Sequence, residues 1–388
     1  MDWFLWIYFT ATASFWCLFY FKAVRLSRAL PAIPQQLDLI NQPLPRLSVI
    51  ITAKDEATTI EHALATILNT SYPDFEIIIV NDRSTDTTGE IINDFARSHP
   101  KIKPIHIDTL PEDWLGKTHA LDTAVRQATG DWFLFTDADV HHHPTLWQRA
   151  LNYAISKHYS HLALLPDVPT PGRILQACVK AFGLMFLATA KVEQIEDPDK
   201  KAAIGIGAFN LVKRDAFVQT PGFEWLRMEV ADDYGIGVMM KKWGHKISFA
   251  TAYDDLQVDW YHDVPGMIKG LEKNIMAPGT RFETIRLIIS PLLLSAVILG
   301  PFLSLLSWSN YYFVTGVTVL FFIVLCSFWI PRRNPGDLTT WLLTPVGYLI
   351  ILYTFCRACA LCLARNGINW RGTYYPRSQL RKYQRVKV

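Results

Sequence analysis

Long uncharged apolar runs lie at the two ends of the chain, and short apolar bursts fill its middle. The two patterns predict different elements. Residues 3–21, WFLWIYFTATASFWCLFYF, carry no charge and are long enough to span a bilayer as a helix. Residues 287–307 and 311–330 are further candidate spans, and 338–363 is another, interrupted by Pro345 and Arg357. Between the ends, LSVIITAKDEA (47–57) and FEIIIVNDRSTD (75–86) are β-branched runs ending in polar residues, as buried parallel strands do. KIKPIHID is a third strand, and DWFLFTDADV opens a fourth at Asp131. The stretches between them read as helices. In TIEHALATILNT (59–70), Ile60, Ala63, Leu64, Ile67 and Leu68 recur at helical spacing. TTGEIINDFARSH is a second helix, and GKTHALDTAVRQATG (116–130) a third, closed by Gly130 as a C-cap.

Strand–helix alternation predicts an α/β fold, a mostly parallel sheet with helices on both faces. Ligands of such sheets bind at the carboxyl ends of the strands. Here those ends carry Thr52 to Glu56, Asp82 to Asp86, and Asp137 with Asp139. All three clusters fall on one edge of one sheet. Capping of the following helices is the plainer reading and suits Asp86 or Glu56. It explains Asp137-Ala138-Asp139 poorly, because alternate residues of an extended segment point to the same side and burying unpaired carboxylates is costly. The three histidines that follow, His141 to His143, offer a third metal ligand, but solvated loop residues are the expectation.

Composition narrows the class. Half of the 388 residues are apolar and 13% aromatic, with the excess at the two ends, and the net charge of +3 is too small to argue for nucleic acid. The cysteines, at 17, 178, 326, 356, 359 and 362, sit almost all in apolar stretches, in neither a disulfide nor a zinc pattern. Cys356, Cys359 and Cys362 recur as small apolar residues of one helix. Lys22, Arg25 and Arg28 follow the first apolar run, whereas a cleaved signal peptide carries its cations before it. Residues 1–24 therefore read as a retained anchor, with the next segment cytoplasmic by the positive-inside rule. The tail, residues 365–388, carries seven Lys/Arg and no acid, which also places it in the cytoplasm. The crossings between 22–285 and the tail must then be even in number, so one of the three later apolar segments does not cross. Pro291 and Pro301 in one, or Arg357 in another, mark the candidates for a re-entrant segment.

The Asp-x-Asp edge has a chemical use. A carboxylate pair suits a hard cation such as Mg²⁺ or Mn²⁺, which completes its shell with phosphate oxygens and water. A nucleotide diphosphate supplies those oxygens, and the ion neutralises charge on it as it leaves. No Gly-x-x-x-x-Gly-Lys loop is present, which argues against a P-loop NTPase. An enzyme with a nucleotide leaving group, such as a sugar transferase, fits.

SVIITAKDEATTIEHALATILNTSYPDFEIIIVNDRSTDTTGEI, WLGKTHAL, FTDADV, GIGAFNLVKRDAF, EVADDYGIG and GMIKGLEKN occur in this order between about residues 46 and 280. In these motifs the chain resembles a membrane-bound family 2 glycosyltransferase and is most similar to hopene-associated and other lipid-modifying members. The resemblance implies a GT-A (Rossmann-like) catalytic domain over 44–282, a nucleotide-sugar donor, usually a UDP-sugar, a divalent metal, and inversion at the anomeric carbon. It further implies roles for individual residues. Thr52, Ala53 and Glu56 would line the nucleoside pocket, Asp82 would hold the base and Lys117 would sit near the nucleotide. Asp137 would face the ribose and the metal, Asp139 would ligate the metal, and Gly207 would floor the sugar. Asp232 and Asp233 occupy the place of the catalytic acid pair, with Asp233 the general base. One-step inversion needs a base apart from the metal ligands, and a neighbouring Asp232 raises the pair's apparent pKa. An N-cap role for this pair, ahead of YGIGVMMKKWG, is compatible with that.

Departures refine the reading. Processive polysaccharide synthases of the family carry Gln-x-x-Arg-Trp, and here QVDWY (257–261) puts Asp259 where Arg would stand. That favours transfer of one sugar over polymerisation and removes a cation, for which Lys269, Lys273 or the tail's WRGTYYPR (370–377) are candidate replacements. Residues 172–190 place Ile174, Cys178, Phe182 and Phe186 on one helical face, either a core helix or one lying on the bilayer. Arg281 and Arg286 form a juxtamembrane cluster where the membrane segments of 283–364 begin. A site pinned between these and the anchor implies an integral membrane protein with a cytoplasmic catalytic domain, at the inner membrane if the source is a bacterium. Its acceptor would be a hopanoid, ceramide-like lipid, carotenoid or glycerolipid. The rivals are a processive synthase threading a polymer and a non-catalytic scaffold on a transferase fold.

Overall fold

A computed structural model describes residues 2–35, 43–307, 309–326, 328 and 337–386. Helix α1 (Asp2–Ala29) opens the chain. The central domain follows as β1 (Leu47–Ala53), α2 (Ile60–Leu68), β2 (Phe75–Asp82), α3 (Thr88–Ser98), β3 (Ile102–Ile107), α4 (Gly116–Val125), β4 (Trp132–Asp137), β5 (Val140–His142), α5 (Leu146–Ser156), β6 (His161–Leu165), α6 (Arg173–Ala190), β7 (Asn210–Lys213), α7 (Arg214–Phe217), α8 (Phe223–Leu226), α9 (Asp232–Lys242), β8 (Ile247–Thr251), β9 (Leu256–Val258), α10 (Val264–Gly270) and α11 (Glu272–Thr280). Then come α12 (Thr284–Leu305), α13 (Asn310–Cys326), α14 (Leu338–Leu342), α15 (Thr344–Arg365), the hairpin β10 (Gly367–Trp370) and β11 (Thr373–Pro376), and α16 (Arg377–Tyr383).

The seven-stranded sheet runs β3-β2-β1-β4-β7-β6-β8. Its pairs are parallel except where β7 runs antiparallel to β4 and β6. Strand order reverses between β1 and β4, the point where an open sheet leaves a crevice at its carboxyl edge. Both faces are covered, so the successive residues Val49, Ile50 and Ile51 of β1 are all apolar rather than alternating. Val49 and Ile51 pack toward α2 and α5 with Ile60, Leu64 and Leu151. Ile50 faces the other side, with Ala120 and Leu121 of α4 and Met239 and Met240 of α9. Each such buried aliphatic contributes about 1.5–3 kcal/mol relative to an exposed one.

Gly130 does not cap α4. The helix ends at Val125 with Arg126 still in the right-handed region, and Gly130 instead lies against β1. A Cβ there would fall 2.5 Å from the Ser48 backbone nitrogen, and the Gly130 amide donates to Ser48 Oγ at 2.8 Å. Ser48 donates in turn to the buried Glu76 carboxylate at 2.6 Å, which also accepts from the Thr129 amide at 2.7 Å and from Lys103 at 2.6 Å. Burial opposes the Glu76 charge, but these donors outweigh it and hold the carboxyl at about 2.

Four helices are long and apolar enough to cross a membrane: Trp3–Ala29, Arg173–Gln194, Thr284–Leu305 and Thr344–Arg365. The first, third and fourth fall where the apolar runs predict them. The second, around α6, adds one that sequence reading took for a core or interfacial helix. The 311–330 run forms the shorter α13, ending at Cys326; residues 327 and 329–330 lie outside the described residues. The 338–363 run is two helices, and Pro345 opens α15 in its first turn, where proline loses no intrahelical bond. Arg357 does not break the helix either, because Glu272 of α11 accepts from both Arg357 (2.6 Å) and Arg365 (2.8 Å). α6 packs along α15, with Ala177 so near Gly347 that a Cβ at Gly347 would lie 2.5 Å from the Ala177 carbonyl oxygen. Of its predicted apolar face, Cys178 is buried and Ile174 exposed, while Phe182 and Phe186 lie between. Outward-facing Trp3, Phe4, Ile7 and Leu18 on α1, Ile288, Leu292 and Leu293 on α12, and Phe313, Val317 and Phe321 on α13 make an apolar exterior unlike that of a water-facing domain. The end of α1 is tied to the sheet. The Ile33 amide donates to the Thr251 carbonyl at 2.9 Å, and the Thr251 amide to Pro31 at 2.8 Å.

Candidate active site

Parallel register sets the first residues of the site. Thr52 of β1 sits beside Asp137 of β4, and Ala53 beside Asn81, next to Asp82 at the end of β2. The chain turns at Ala138 and Asp139 into β5. Lys117 lies in the first turn of α4, Asp232 and Asp233 in the first turn of α9, and Gly207 in the loop before β7. Thr52, Ala53, Glu56, Asp82, Lys117, Asp137, Asp139, Gly207, Asp232 and Asp233 all line one cavity of about 960 Å³.

Lysine 117 ties the two acid groups together. Its Nζ lies 2.7 Å from Asp137 and 3.4 Å from Asp232. Burial would discharge it, but Asp137, Asp232 and Asp233 together raise its pKa and keep it cationic. Asp232 is pushed up to about 6, mainly by burial, with Lys117 opposing and Asp233 and Asp137 adding to the rise. Asp139 is pushed up to about 7, again mainly by burial, then by the charges of Asp137 and Glu56. Neither Asp232 nor Asp233 caps α9. Ala231 holds that position, and Asp233 accepts instead from its neighbour's amide, Tyr234, at 2.8 Å and from the Gly207 amide at 2.9 Å. Glycine is required along this wall. A Cβ at Gly207 would lie 2.4 Å from Asp137 Oδ2, and one at Gly205 would lie 1.7 Å from the Asp233 carbonyl oxygen.

On the other side of the cavity, both Asp82 oxygens accept from Arg83, at 2.7 and 3.0 Å. Gly116 packs on that pair, where a Cβ would collide with Asp82 and Arg83. Glu56 accepts from Arg371 of the tail at 2.5 Å and from Thr59 at 3.1 Å. Lys269 and Lys273 line the same cavity. Burial lowers Lys273 to about 8 against the pull of Asp232.

The histidines depart from expectation. Only His143 is a solvated loop residue. His142 is buried in the core, accepting from Trp147 Nε1 at 3.1 Å with its other nitrogen 3.1 Å from Thr136 Oγ1; burial lowers it to about 3, so it stays neutral. His141 donates to Asp259 at 2.9 Å and lies with its ring centre 4.3 Å from that of His62. His62, His141 and Asp259 bring ligand atoms within 4.8 Å of one another. Asp259, where a processive synthase would carry arginine, is thus occupied by a histidine. Sequence reasoning also missed Glu229, three residues before Asp232. It is fully buried and pushed up to about 7 by that burial.

Residues 48–220 match the family model for Glycosyl transferase family 2. This stretch is a family 2 glycosyltransferase domain. Over 98 residues the chain is 39% identical to "Probable glycosyltransferase YdaM" of Bacillus subtilis, covering 25% of this chain and 23% of that one. Over 195 residues it is 26% identical to 4,4'-diaponeurosporenoate glycosyltransferase of Staphylococcus aureus, covering 49% and 50% respectively. It is also 33% identical over 100 residues to the poly-β-1,6-N-acetyl-D-glucosamine synthase of Staphylococcus epidermidis, covering 26% and 23%. The matched stretches thus span between a quarter and a half of these relatives' own length. The solved mannosyltransferase PcManGT of Pyrobaculum calidifontis, in complex with GDP-Man and Mn²⁺, superposes with a TM-score of 0.52 at 18% identity, over 91% of this chain and 98% of that one. The glycosyltransferase domain has the GT-A fold, with a mixed, mostly parallel sheet.

Proposed function

We propose that the chain is an inverting, metal-dependent glycosyltransferase that moves one sugar from a nucleotide sugar to a membrane lipid. The observation that carries this reading is the lining of one cavity. Asp139 and Asp233 share it with Val179, Phe182 and Phe186 of α6 and Ile351 of α15. A polar end built of carboxylates therefore opens onto the apolar helices, the arrangement a lipid hydroxyl needs to meet a charged donor.

Asp137 and Asp139, an acid pair at an open cavity with burial raising Asp139, fit a hard divalent cation. With Mg²⁺ or Mn²⁺ held there, charge on the departing diphosphate would be neutralised. Thr52, Ala53, Glu56 and Asp82 line the nucleoside side. Asp82 can turn from Arg83 to a base edge, since both partners lie at the cavity wall. Lys117 holds Asp137 and Asp232 in place. Gly207 leaves room for the sugar between Asp137 and Asp233. Asp233 takes the proton of the acceptor hydroxyl as its oxygen bonds to the anomeric carbon and the bond to the nucleotide phosphate breaks.

The acceptor class we favour is a hopanoid, ceramide-like lipid, carotenoid or glycerolipid, supported by the relative named for 4,4'-diaponeurosporenoate. A UDP-sugar is the expected donor; the likeness to a fold solved with GDP-Man makes GDP-sugars the comparison to run. The synthase relative favours a processive alternative, against which stands Asp259, bound to His141 rather than replaced by a cation. We place the sheet and the tail on the cytoplasmic side, because Lys22, Arg25 and Arg28 follow the uncharged run of α1 and because Arg371 touches Glu56, so that sheet and tail share one side. An even number of crossings among α12, α13 and α15 follows.

The test is turnover by the purified full chain in lipid nanodiscs, with UDP- and GDP-sugars and Mn²⁺ or Mg²⁺. Metal-dependent consumption of one donor, lost in Asp139→Ala and Asp233→Asn, with a singly glycosylated lipid by mass, is the expected result. A polymer ladder would favour the synthase, and absence of nucleotide binding would return the scaffold reading.

A further inference from the structure

The segment after α15 is fastened along the nucleoside side of the cavity. Its hairpin turns at Arg371 and Gly372, both in the left-handed region (φ 48° and 76°), and lays the Arg371 guanidinium on the Glu56 carboxylate at 2.5 Å and on the Lys54 carbonyl. The Trp370 ring sits 3.8 Å from the Lys273 ammonium. The Tyr375 hydroxyl accepts from the Gly116 amide at 3.2 Å, beside the Asp82–Arg83 pair. Beyond α16 the chain meets Glu229. That buried carboxylate accepts from the Arg385 amide at 2.7 Å, the Val386 amide at 2.9 Å and Gln384 Nε2 at 2.9 Å. It also accepts from the Ala231 amide at 3.3 Å, immediately before the acid pair on α9.

We propose that residues 367–386 are a strap that completes the donor site, with Arg371 binding the diphosphate of the nucleotide and Glu229 fastening the strap. The proposal rests on the reading of the cavity as a nucleotide-sugar site. A diphosphate arriving there meets Glu56, Asp82, Asp137 and Asp139, so it needs cations that are not already committed. Lys117 is held by Asp137 and Asp232, Arg83 by Asp82, and Arg365 by Glu272. Lys54, Lys269 and Lys273 also line the cavity and can add to the charge a diphosphate meets; Arg371 is a guanidinium at its rim. It pairs with Glu56, whose charge is felt at Asp139, and its side chain is 43% exposed. A guanidinium can exchange one carboxylate for two phosphate oxygens without leaving the rim, since its planar fork suits both. The fastening explains Glu229. Among the described residues, most of the donors on this buried carboxylate come from Gln384, Arg385 and Val386, so the strap and the start of α9 are held by one group.

The test uses the full chain in nanodiscs with Mn²⁺ and measures binding of UDP and GDP, each against its nucleoside, for wild type, Arg371→Ala, Arg371→Lys and Glu229→Gln. For whichever diphosphate the wild type binds, Arg371→Ala should weaken it at least about tenfold while nucleoside affinity stays within about twofold, and Arg371→Lys should recover part of the loss. Glu229→Gln should weaken the diphosphate similarly and make the tail's Arg381, Lys382 and Arg385 sites open to trypsin at an unchanged melting temperature of the domain. Equal loss of nucleoside and diphosphate in Arg371→Ala, or no loss of either, overturns the strap while the donor reading stands. A wild type that binds no nucleotide overturns both.

Discussion

The Gly207 amide donates to Asp233 Oδ2 at 2.9 Å, across the same glycine whose missing side chain leaves Asp137 room on its other flank. Adding a Cβ would place it 2.4 Å from Asp137 Oδ2 and 3.5 Å from Asp233 Oδ2. Gly207→Ala must therefore move the Asp137 carboxylate and crowd Asp233 at once. Misplacement of about 1 Å at a reacting group can cost about a hundredfold in rate. The expected outcome is a kcat lower by about ten- to a hundredfold with the fold intact, read from turnover beside a melting curve. Unchanged turnover would mean the sugar does not sit against Gly207.

Replacing the proposed base, Asp233, separates chemistry from binding. Asp233→Asn keeps an acceptor for one of the Gly207 and Tyr234 amides, which bind different carboxylate oxygens, and removes the proton acceptor. General-base catalysis is worth about 10²–10⁴-fold, so kcat should fall by that amount while KM for the donor changes little. Asp232→Asn should act differently, because it withdraws the second carboxylate from Lys117. Its effect should include donor KM. Equal, small effects of the two variants would place the base elsewhere.

The sequence made much of this edge legible, because the signal was local. Buried apolar runs ending in acid located β1, β2 and β4, and parallel register then brought Thr52 beside Asp137. What failed was what depends on distant packing. Gly130 looked like a helix cap because it followed a helical pattern, yet it is there for the approach of Ser48 from β1. The His141–His143 run looked solvated because polar runs usually are, and nothing local showed that β5 turns His142 inward toward Trp147. The α6 segment is apolar enough for a bilayer and also packs on α15, and periodicity does not separate those fates. Glu229 resembled any acid of its motif, since its partners lie more than 150 residues away. The contact between Arg371 and Glu56 spans 315 residues and leaves no local trace.

The Glu76 network makes a stability prediction. Its carboxyl is held at about 2, below its ordinary 4.5, so the unfolded chain binds the proton more readily than the folded one. The stabilisation is fully present above about pH 4.5 and is lost as pH falls toward 2. Glu76→Gln removes the charge received by Lys103 and turns an amide toward Ser48 or Thr129. Losing such charge-assisted bonds in the core should cost about 1–3 kcal/mol at pH 7. Thermal melting across pH 3–7 should show a steeper fall in wild type than in the variant. Parallel curves would remove Glu76 as the source.

Lys273 predicts a pH dependence for donor capture. Burial lowers it to about 8, with Asp232, Asp233 and Asp137 pulling the other way and Lys117 adding to the fall. Below that pH it carries its charge in the cavity beside Trp370; above it the ammonium is lost. An anionic donor should therefore bind more tightly on the acid side, and kcat/KM for the donor, which reports the unbound enzyme, should decline as pH rises through about 8. Lys273→Gln should lower kcat/KM at pH 7 and flatten that decline, leaving the two proteins closer at pH 9 than at pH 7. A decline that persists unchanged in Lys273→Gln would assign it to another group, and Lys117, whose pKa is raised rather than lowered, is excluded from that role by the direction of its shift.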